Sequence, residues 1–336
     1  MGKKNNLMVG IDLGGTSMMA VALNHQGRMI AARRRSTRPS LGPDGVTERV
    51  TETVQRLLKD LGKKARLVLG IGIGAPGMVD HRKGIVKHAP NLGWRNYPLG
   101  KKLQSHLDLP VTVDNDVNGG AVGEYVLGAG RGSQNLVALF IGTGIGGGII
   151  LKKKLYHGSY GSAGELGHIK ILTDGPICGC GQRGCAEGLA SRTAMERDIR
   201  QAVASGRPSL VPSIMEQSGR DRMTSSVIQE ALHRKDVLME EVLRRAQKNL
   251  GLLVASVVNF IDPDCVVIGG GITDRLGDSF LQPIREIATQ HFLRQSSPEQ
   301  VAILPSKLAG HAGGIGLAIL AWQRLEKVQI GKQIRS

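Results

Sequence analysis

Aromatic residues make up only 3% of this 336-residue sequence, poor material for stacking the bases of single-stranded nucleic acid. Acidic residues are in deficit as well. The 28 Asp and Glu stand against 44 Lys and Arg, and the resulting net charge of +16 favours anionic partners: nucleotides, polyphosphate, nucleic acid or an acidic membrane surface. The basic residues are scattered in short runs such as Arg33 to Arg35 and Lys152 to Lys154, the pattern of solvated faces. Long apolar runs are missing too: Leu136 to Leu151 lacks charge but is broken by glycines, so it reads as strand, loop and strand rather than a membrane span. The N-terminal "MGKKNNLMVGID" meets Asp12 too soon for a signal peptide, and Asn6 fails the Ser or Thr that myristoylation requires. The expected location is the cytoplasm, with no membrane partner. Cysteine is rare, four in the chain, and in that compartment clustered thiols bind metal more often than they pair.

What is present is ordinary globular material. Hydrophobic residues at 41% and charged residues at 21% leave no reason to invoke disorder, and the length implies two domains with a cleft where chemistry is expected. A strand-like run ends in Asp12-Leu-Gly-Gly-Thr16, and Met19 to Leu23 and Met29 to Ser36 follow as a three-strand meander. Thr47 to Leu61 has helical spacing, and Leu67 to Ile73 is a strand closing in the turn Ala75-Pro76-Gly77. Pro98 to Leu107 suggests a helix, and Pro110 to Val113 a strand ending in Asp114-Asn115-Asp116.

The pattern then restarts. Leu136 to Ile141 is a strand ending in "GTGIGGG", Ile149 to Leu151 returns from it, and a later strand, Cys265 to Ile268, runs into Gly269, Gly270 and Gly271. Two halves that each open with a strand and a Gly/Thr turn imply a duplicated α/β architecture. Ala204 to Ser226, rich in Ser, Pro, Arg and Gly, reads as an exposed excursion, and Val237 to Ile261 as a long amphipathic helix.

Three constellations carry chemistry. Glycines in "DLGGT", Asp12 to Thr16, and in "GTGIGGG", Gly142 to Gly148, let backbone N–H groups approach phosphate oxygens. Either turn alone is equally a plain hairpin, but one heading each half favours a bound nucleotide. Asp12 is either a turn aspartate or a carboxylate for the water shell of Mg²⁺ on the phosphates. Asp116, after the strand end, is either a helix N-cap or a general base that takes a proton from an attacking hydroxyl. In "PICGCGQRGCAEG", Cys178, Cys180 and Cys185 lack the redox C-x-x-C spacing and lie too close together for most disulfides. With His168 upstream they make a closed Cys3His set, the arrangement of a structural zinc site, which would pin the loop of Glu187 to that of Glu165.

Together, Asp12-Leu-Gly-Gly-Thr16, Ala75-Pro-Gly77, Asn91-Leu-Gly-Trp94, Asn115-Asp116, Gly142-Thr-Gly144, Gly164-Glu-Leu-Gly-His168 and Cys178 to Glu187 resemble the ROK family of sugar kinases and repressors over essentially the whole chain. The resemblance implies a two-domain actin-like α/β fold of the ribonuclease H-like, hexokinase superfamily, with ATP and Mg²⁺ in the cleft and γ-phosphoryl transfer to a hexose hydroxyl. Residues 1–117 with 313–336 would form a small domain and 118–312 a large one holding the zinc. By motif position Asp116 resembles the catalytic base. Gly77, Asn91, Asn115, Glu165, His168 and Glu187 would meet the sugar, and His168, Cys178, Cys180 and Cys185 the zinc. The nucleotide would fall to Asp12, Gly14, Gly15, Thr16, Gly142, Thr143, Gly144, Gly269, Gly270, Gly271 and the Gly310 to Gly314 stretch, Gly313 included. Repressor members carry a DNA-binding segment ahead of the kinase core, and few residues precede Asp12, so nucleic acid is not an expected partner. The leading expectation is glucose phosphorylation by ATP, in a homodimer or homotetramer as is common in the family. The alternatives are kinases of N-acetylmannosamine or N-acetylglucosamine, a polyphosphate donor, and a non-catalytic sugar sensor.

Overall fold

The computed structural model describes residues 5–293 and 301–326. Its first strand, β1 (Leu7–Leu13), is apolar throughout up to Asp12 because both of its faces are covered. β2 (Ser17–Asn24) and β3 (Met29–Ser36) pair after it antiparallel, as the meander predicts. Helix α1 (Gly42–Leu61) puts Val46, Val50, Val54, Leu57 and Leu61 into the same core cluster as Leu7, Val9, Ile11 and Leu13. It starts at Gly42 rather than Thr47, since Pro43 and Asp44 suit a helix's first turn.

Strand β4 (Val68–Ala75) runs parallel to β1. A small antiparallel sheet follows, β5 (Met78–Asp80), β6 (Ile85–Ala89) and β7 (Trp94–Tyr97), whose strands are too short to announce a period in the sequence. After α2 (Leu99–Leu107), β8 (Val111–Asn115) completes a main sheet of order β3-β2-β1-β4-β8 and leads straight into α3 (Asp116–Val126).

The second half repeats this plan. β9 (Leu136–Ile141), β10 (Ile145–Leu151) and β11 (Lys154–Leu155) form its meander. Five helices follow: α4 (Ala186–Ala190), α5 (Arg192–Ala204), α6 (Val211–Gln217), α7 (Ser225–His233) and α8 (Val237–Ile261). Then come β12 (Cys265–Gly269), α9 (Gly271–Leu276), α10 (Asp278–Gln290) and β13 (Ala302–Pro305). The strand order β11-β10-β9-β12-β13 matches that of the first sheet position by position, so the duplication is real. The 204–226 excursion is a correction: it contains α6, and Val211, Ile214, Met215 and Met223 are buried.

The last helix, α11 (Ala312–Glu326), returns to the first sheet. Glycine inside a helix ordinarily costs about 1 kcal/mol relative to Ala, yet here side chains would not fit. A Cβ on Gly316 would lie 1.7 Å from the Gly119 carbonyl oxygen, and one on Gly10 would lie 1.8 Å from that of Gly314. Backbone therefore packs on backbone among β1, α3 and α11. The chain divides into two compact units, Met1–Ala138 with Gly148–Gly164 and Gly310–Ser336, and Leu139–Gly147 with Glu165–Ala309. Because of this packing all of α3 belongs to the first unit. Among the described residues no helix is long and apolar enough to cross a membrane.

Candidate active site

In the first unit, the turn after β1 is closed by the Gly14 N–H donating to the Ser17 carbonyl at 3.1 Å. The buried Thr37, just past β3, holds it from outside: its hydroxyl donates to the Gly14 carbonyl at 2.6 Å, and its N–H donates to the Thr16 carbonyl at 2.9 Å. Gly15 faces Asn91, whose Cβ would be 3.4 Å from a Cβ at Gly15. Asp12 stands at the end of β1 beside the first turn of α11, where a Cβ on Gly313 would lie 2.4 Å from its Oδ2. Gly313 is thus the space that Asp12 occupies.

Burial, followed by the charge of Asp116, pushes the Asp12 carboxyl up to about 7, with Arg34 pulling the other way. A buried carboxylate raised by a second carboxylate's charge in this way suits a divalent cation, so oxygen-seeking Mg²⁺ fits Asp12 on chemical grounds.

The N-cap role considered for Asp116 is taken by its neighbour. Asn115 is the N-cap of α3, its Oδ1 accepting the N–H groups of Val117 at 2.9 Å and Asn118 at 3.0 Å. Asp116 is the first helical residue, half-buried, with Oδ1 accepting the Val117 N–H at 2.9 Å. Asn115 also donates through Nδ2 to the Gly77 carbonyl at 3.1 Å. With both lone pairs of its oxygen occupied, it has one N–H left to offer a ligand. Gly77 has φ +81°, and a Cβ there would lie 2.3 Å from the His88 carbonyl oxygen.

Sequence reasoning missed the group behind these residues. Asp114, 2% exposed, accepts from the Asn115 N–H at 2.8 Å and the Asn118 Nδ2 at 2.9 Å on Oδ1, and meets His157 Nε2 at 2.9 Å and Arg324 on Oδ2. His157 stacks on His81 with ring centroids 3.9 Å apart. Burial, with the charges of His157 and Arg324, holds His81 down to about 4. Nothing local in the sequence signals a partnership between Asp114 and Arg324.

In the second unit, the cysteine loop and the "GELGH" segment bring His168, Cys178, Cys180 and Cys185 together, with all four ligand atoms within 4.8 Å of one another. Cys180 Sγ to Cys185 Sγ is 3.8 Å, and Cys178 Sγ to His168 Nδ1 is 3.8 Å. A zinc tetrahedron with Zn–S bonds of about 2.3 Å has an S···S edge of about 3.8 Å, so the set fits that ion; a disulfide needs about 2.05 Å. Burial, with Glu187 adding to it, pushes the Cys178 thiol up to about 12, so a thiolate there needs a cation beside it. Lys170 Nζ lies 3.0 Å from Cys185 Sγ, a positive charge beside the thiol cluster.

His168 presents Nδ1 to the cysteines, which leaves Nε2 pointing the other way, 3.8 Å from Glu165 Oε2. One imidazole can thus serve both a metal and a ligand. Glu187, in α4, takes the Ile145 N–H on Oε2 at 2.8 Å and faces Cys178 Sγ at 3.4 Å on Oε1. It also explains a glycine: a Cβ on Gly144 would lie 2.3 Å from its Oε2. In the same turn the Thr143 hydroxyl accepts from Arg192 at 2.6 Å, the Thr143 carbonyl accepts from Thr193 at 2.8 Å, and Gly142 opens to free space. Gly269 to Gly271 link β12 to α9; Gly270 has φ +100°, and a Cβ there would lie 2.2 Å from the Ile141 carbonyl oxygen.

The ROK family model matches residues 8–324. The chain belongs to the ROK family. It is 33% identical over 329 residues to a glucokinase of Halalkalibacterium halodurans, covering 97% of this chain and 98% of that one. It resembles the crystal structure of a ROK family glucokinase from Streptomyces griseus in complex with glucose and AMPPNP, at 34% identity and a TM-score of 0.83, over 95% of this chain and 100% of that one. A xylose repressor of Caldicellulosiruptor bescii is 32% identical over 311 residues, 92% of this chain and 76% of the repressor. With ROK membership goes the actin-like, hexokinase-type α/β fold expected from the sequence.

Each unit of this ROK chain gathers part of the expected residue set. The first holds Asp12, Gly14, Gly15, Thr16, Gly77, Asn91, Asn115, Asp116 and Gly313; the second holds Gly142, Thr143, Gly144, Glu165, His168, the three cysteines, Glu187 and Gly269 to Gly271.

Proposed function

We propose that this chain is a hexose kinase that uses ATP to phosphorylate glucose, giving glucose 6-phosphate. The observation that carries the reading is its near full-length likeness to a ROK glucokinase solved with glucose and AMPPNP. In the reaction the sugar hydroxyl oxygen attacks the γ-phosphorus as its proton passes to Asp116, and ADP leaves with the electrons of the broken P–O bond. The base role rests on Asp116 standing at the start of α3 while Asn115 does the capping. Asp12 is assigned to the water shell of Mg²⁺, which when bound offsets charge on the phosphates.

For the sugar we assign Glu165, Glu187 and His168 Nε2 of the second unit as hydroxyl partners and, of the first unit, Gly77, Asn91 and the remaining N–H of Asn115. Carboxylates accept from sugar hydroxyls in defined directions, so an analogue lacking the hydroxyl leaves them unpaired. For the nucleotide we assign Gly14, Gly15, Thr16, Gly142, Thr143, Gly144, Gly269, Gly270, Gly271 and Gly313. The Cys3His set is assigned to structural zinc: four protein ligands leave no open position for water activation. ADP release measured with glucose, mannose, N-acetylmannosamine, N-acetylglucosamine and fructose tests the reading. Fastest turnover with glucose is expected, and no turnover of glucose overturns it.

A further inference from the structure

Three consecutive arginines, Arg33, Arg34 and Arg35, lie on β3, and alternation sends the middle one to the opposite face. The outer two have carboxylate partners: Arg33 pairs with Asp60 at 2.6 Å and Arg35 with Glu52 at 2.5 Å. Among the described residues Arg34 makes no ion pair, and it is exposed. Its position is set by strand register. Asp12 on β1 faces Met19 on β2, and Met19 faces Arg34 on β3, so the three side chains form one row on one face of the sheet. From that row Arg34 Nη2 donates to Ser17 Oγ at 3.1 Å, at the foot of the first glycine turn. The strand beneath it is fixed to the same turn by the two Thr37 hydrogen bonds, at 2.6 and 2.9 Å.

We propose that Arg34 is a further catalytic residue of the phosphoryl transfer, its guanidinium contacting oxygens of the γ-phosphoryl group as it passes to the sugar. This rests on the kinase reading. As the sugar oxygen bonds to phosphorus and the bridging P–O bond breaks, negative charge spreads over the three non-bridging oxygens, while the hydroxyl proton goes to Asp116. A planar guanidinium, with five donors in fixed directions, suits two of those oxygens at once. The two carboxylates Asp12 and Asp116 make this region of the first unit acidic, and the influence of Arg34 on Asp12 is felt electrostatically. An anionic phosphoryl group therefore needs a cation there besides any metal.

Arg34→Gln, Arg34→Lys and Ser17→Ala, assayed with glucose and MgATP, test the assignment. Removing one oriented donor to a developing charge costs about 10²–10³-fold in kcat. That loss is expected for Arg34→Gln, with a smaller one for Arg34→Lys and little change in the KM for glucose. Affinity for AMPPNP should fall while affinity for ADP, which lacks the γ-phosphoryl, is kept. Guanidinium ion added to an Arg34→Ala variant should restore part of the rate. Wild-type kcat in Arg34→Gln, equal losses of ADP and AMPPNP affinity, or a Ser17→Ala variant that reproduces the whole defect would each overturn the proposal. A wild-type protein that phosphorylates no sugar brings down the kinase reading and this assignment together, whereas an active wild type beside an equally active Arg34→Gln brings down the assignment alone.

Discussion

His157 Nε2 lies 2.9 Å from Asp114 Oδ2, and the other oxygen of that carboxylate accepts the Asn115 N–H at 2.8 Å. A residue that follows β11 thus fixes the strand end from which Asp116 projects. Burial alone would raise the Asp114 carboxyl, but the His157 hydrogen bond and the Arg324 charge, with help from Asn118, outweigh it and hold the group well below the usual carboxylate range.

The pH consequence has a definite sign. A carboxylate whose folded-state pKa is lowered contributes stability that is present above its unfolded value, 3.8, and lost as pH falls through the folded one. Thermal midpoints of the wild type should therefore drop steeply below about pH 4, and those of Asp114→Asn should drop less. At neutral pH that variant should be less stable by about 3–5 kcal/mol, the cost of breaking a buried ion pair from one side. Equal acid sensitivity of the two proteins would contradict this role.

Asp12 behaves in the opposite sense. Its carboxyl is pushed up to about 7, so the stability it contributes is present at low pH and is lost as pH rises through that value. Without Mg²⁺, Asp12→Asn should match the wild type only below the unfolded value of 3.8 and exceed it in thermal midpoint at about pH 8, while losing most kinase activity. A variant less stable than the wild type at about pH 8 would mean that Asp12 is not strained by burial and the charge of Asp116.

Cys180 is the exposed member of the Cys3His set. Cys180→Ala should lose stoichiometric zinc by metal analysis and weaken glucose binding, since Glu187 and His168 ride on the same loops. Zinc content and glucose affinity both unchanged would overturn the Cys3His assignment.

Much of this was readable from local pattern. Val237–Ile261 and Leu136–Ile141 have the bounds that periodicity predicts, and the spacing of the cysteines with His168 anticipates a cluster that the fold assembles. What stayed hidden depends on partners distant in sequence. Arg324 lies 210 residues from Asp114, and no local pattern announces that the glycines of α11 lie against α3 and β1. Residues 204–226 misled for a related reason: Ser, Pro and Arg dominate the composition, while a few buried apolar residues, Ile214 and Met223 among them, decide the structure. Arg34 was hidden within a basic run, because only strand register separates it from its paired neighbours.

The central claim is that Asp116 takes the proton of a glucose hydroxyl as ATP phosphorylates it. The most direct measurement is ADP and glucose 6-phosphate formed by wild type and by Asp116→Asn, alongside glucose affinity by calorimetry. One ADP per glucose 6-phosphate is expected from the wild type. In the variant the rate should fall by about 10²–10⁴-fold, the usual worth of a general base, with glucose binding retained. A variant that turns over at the wild-type rate, or a wild type that releases no ADP with glucose, would contradict it.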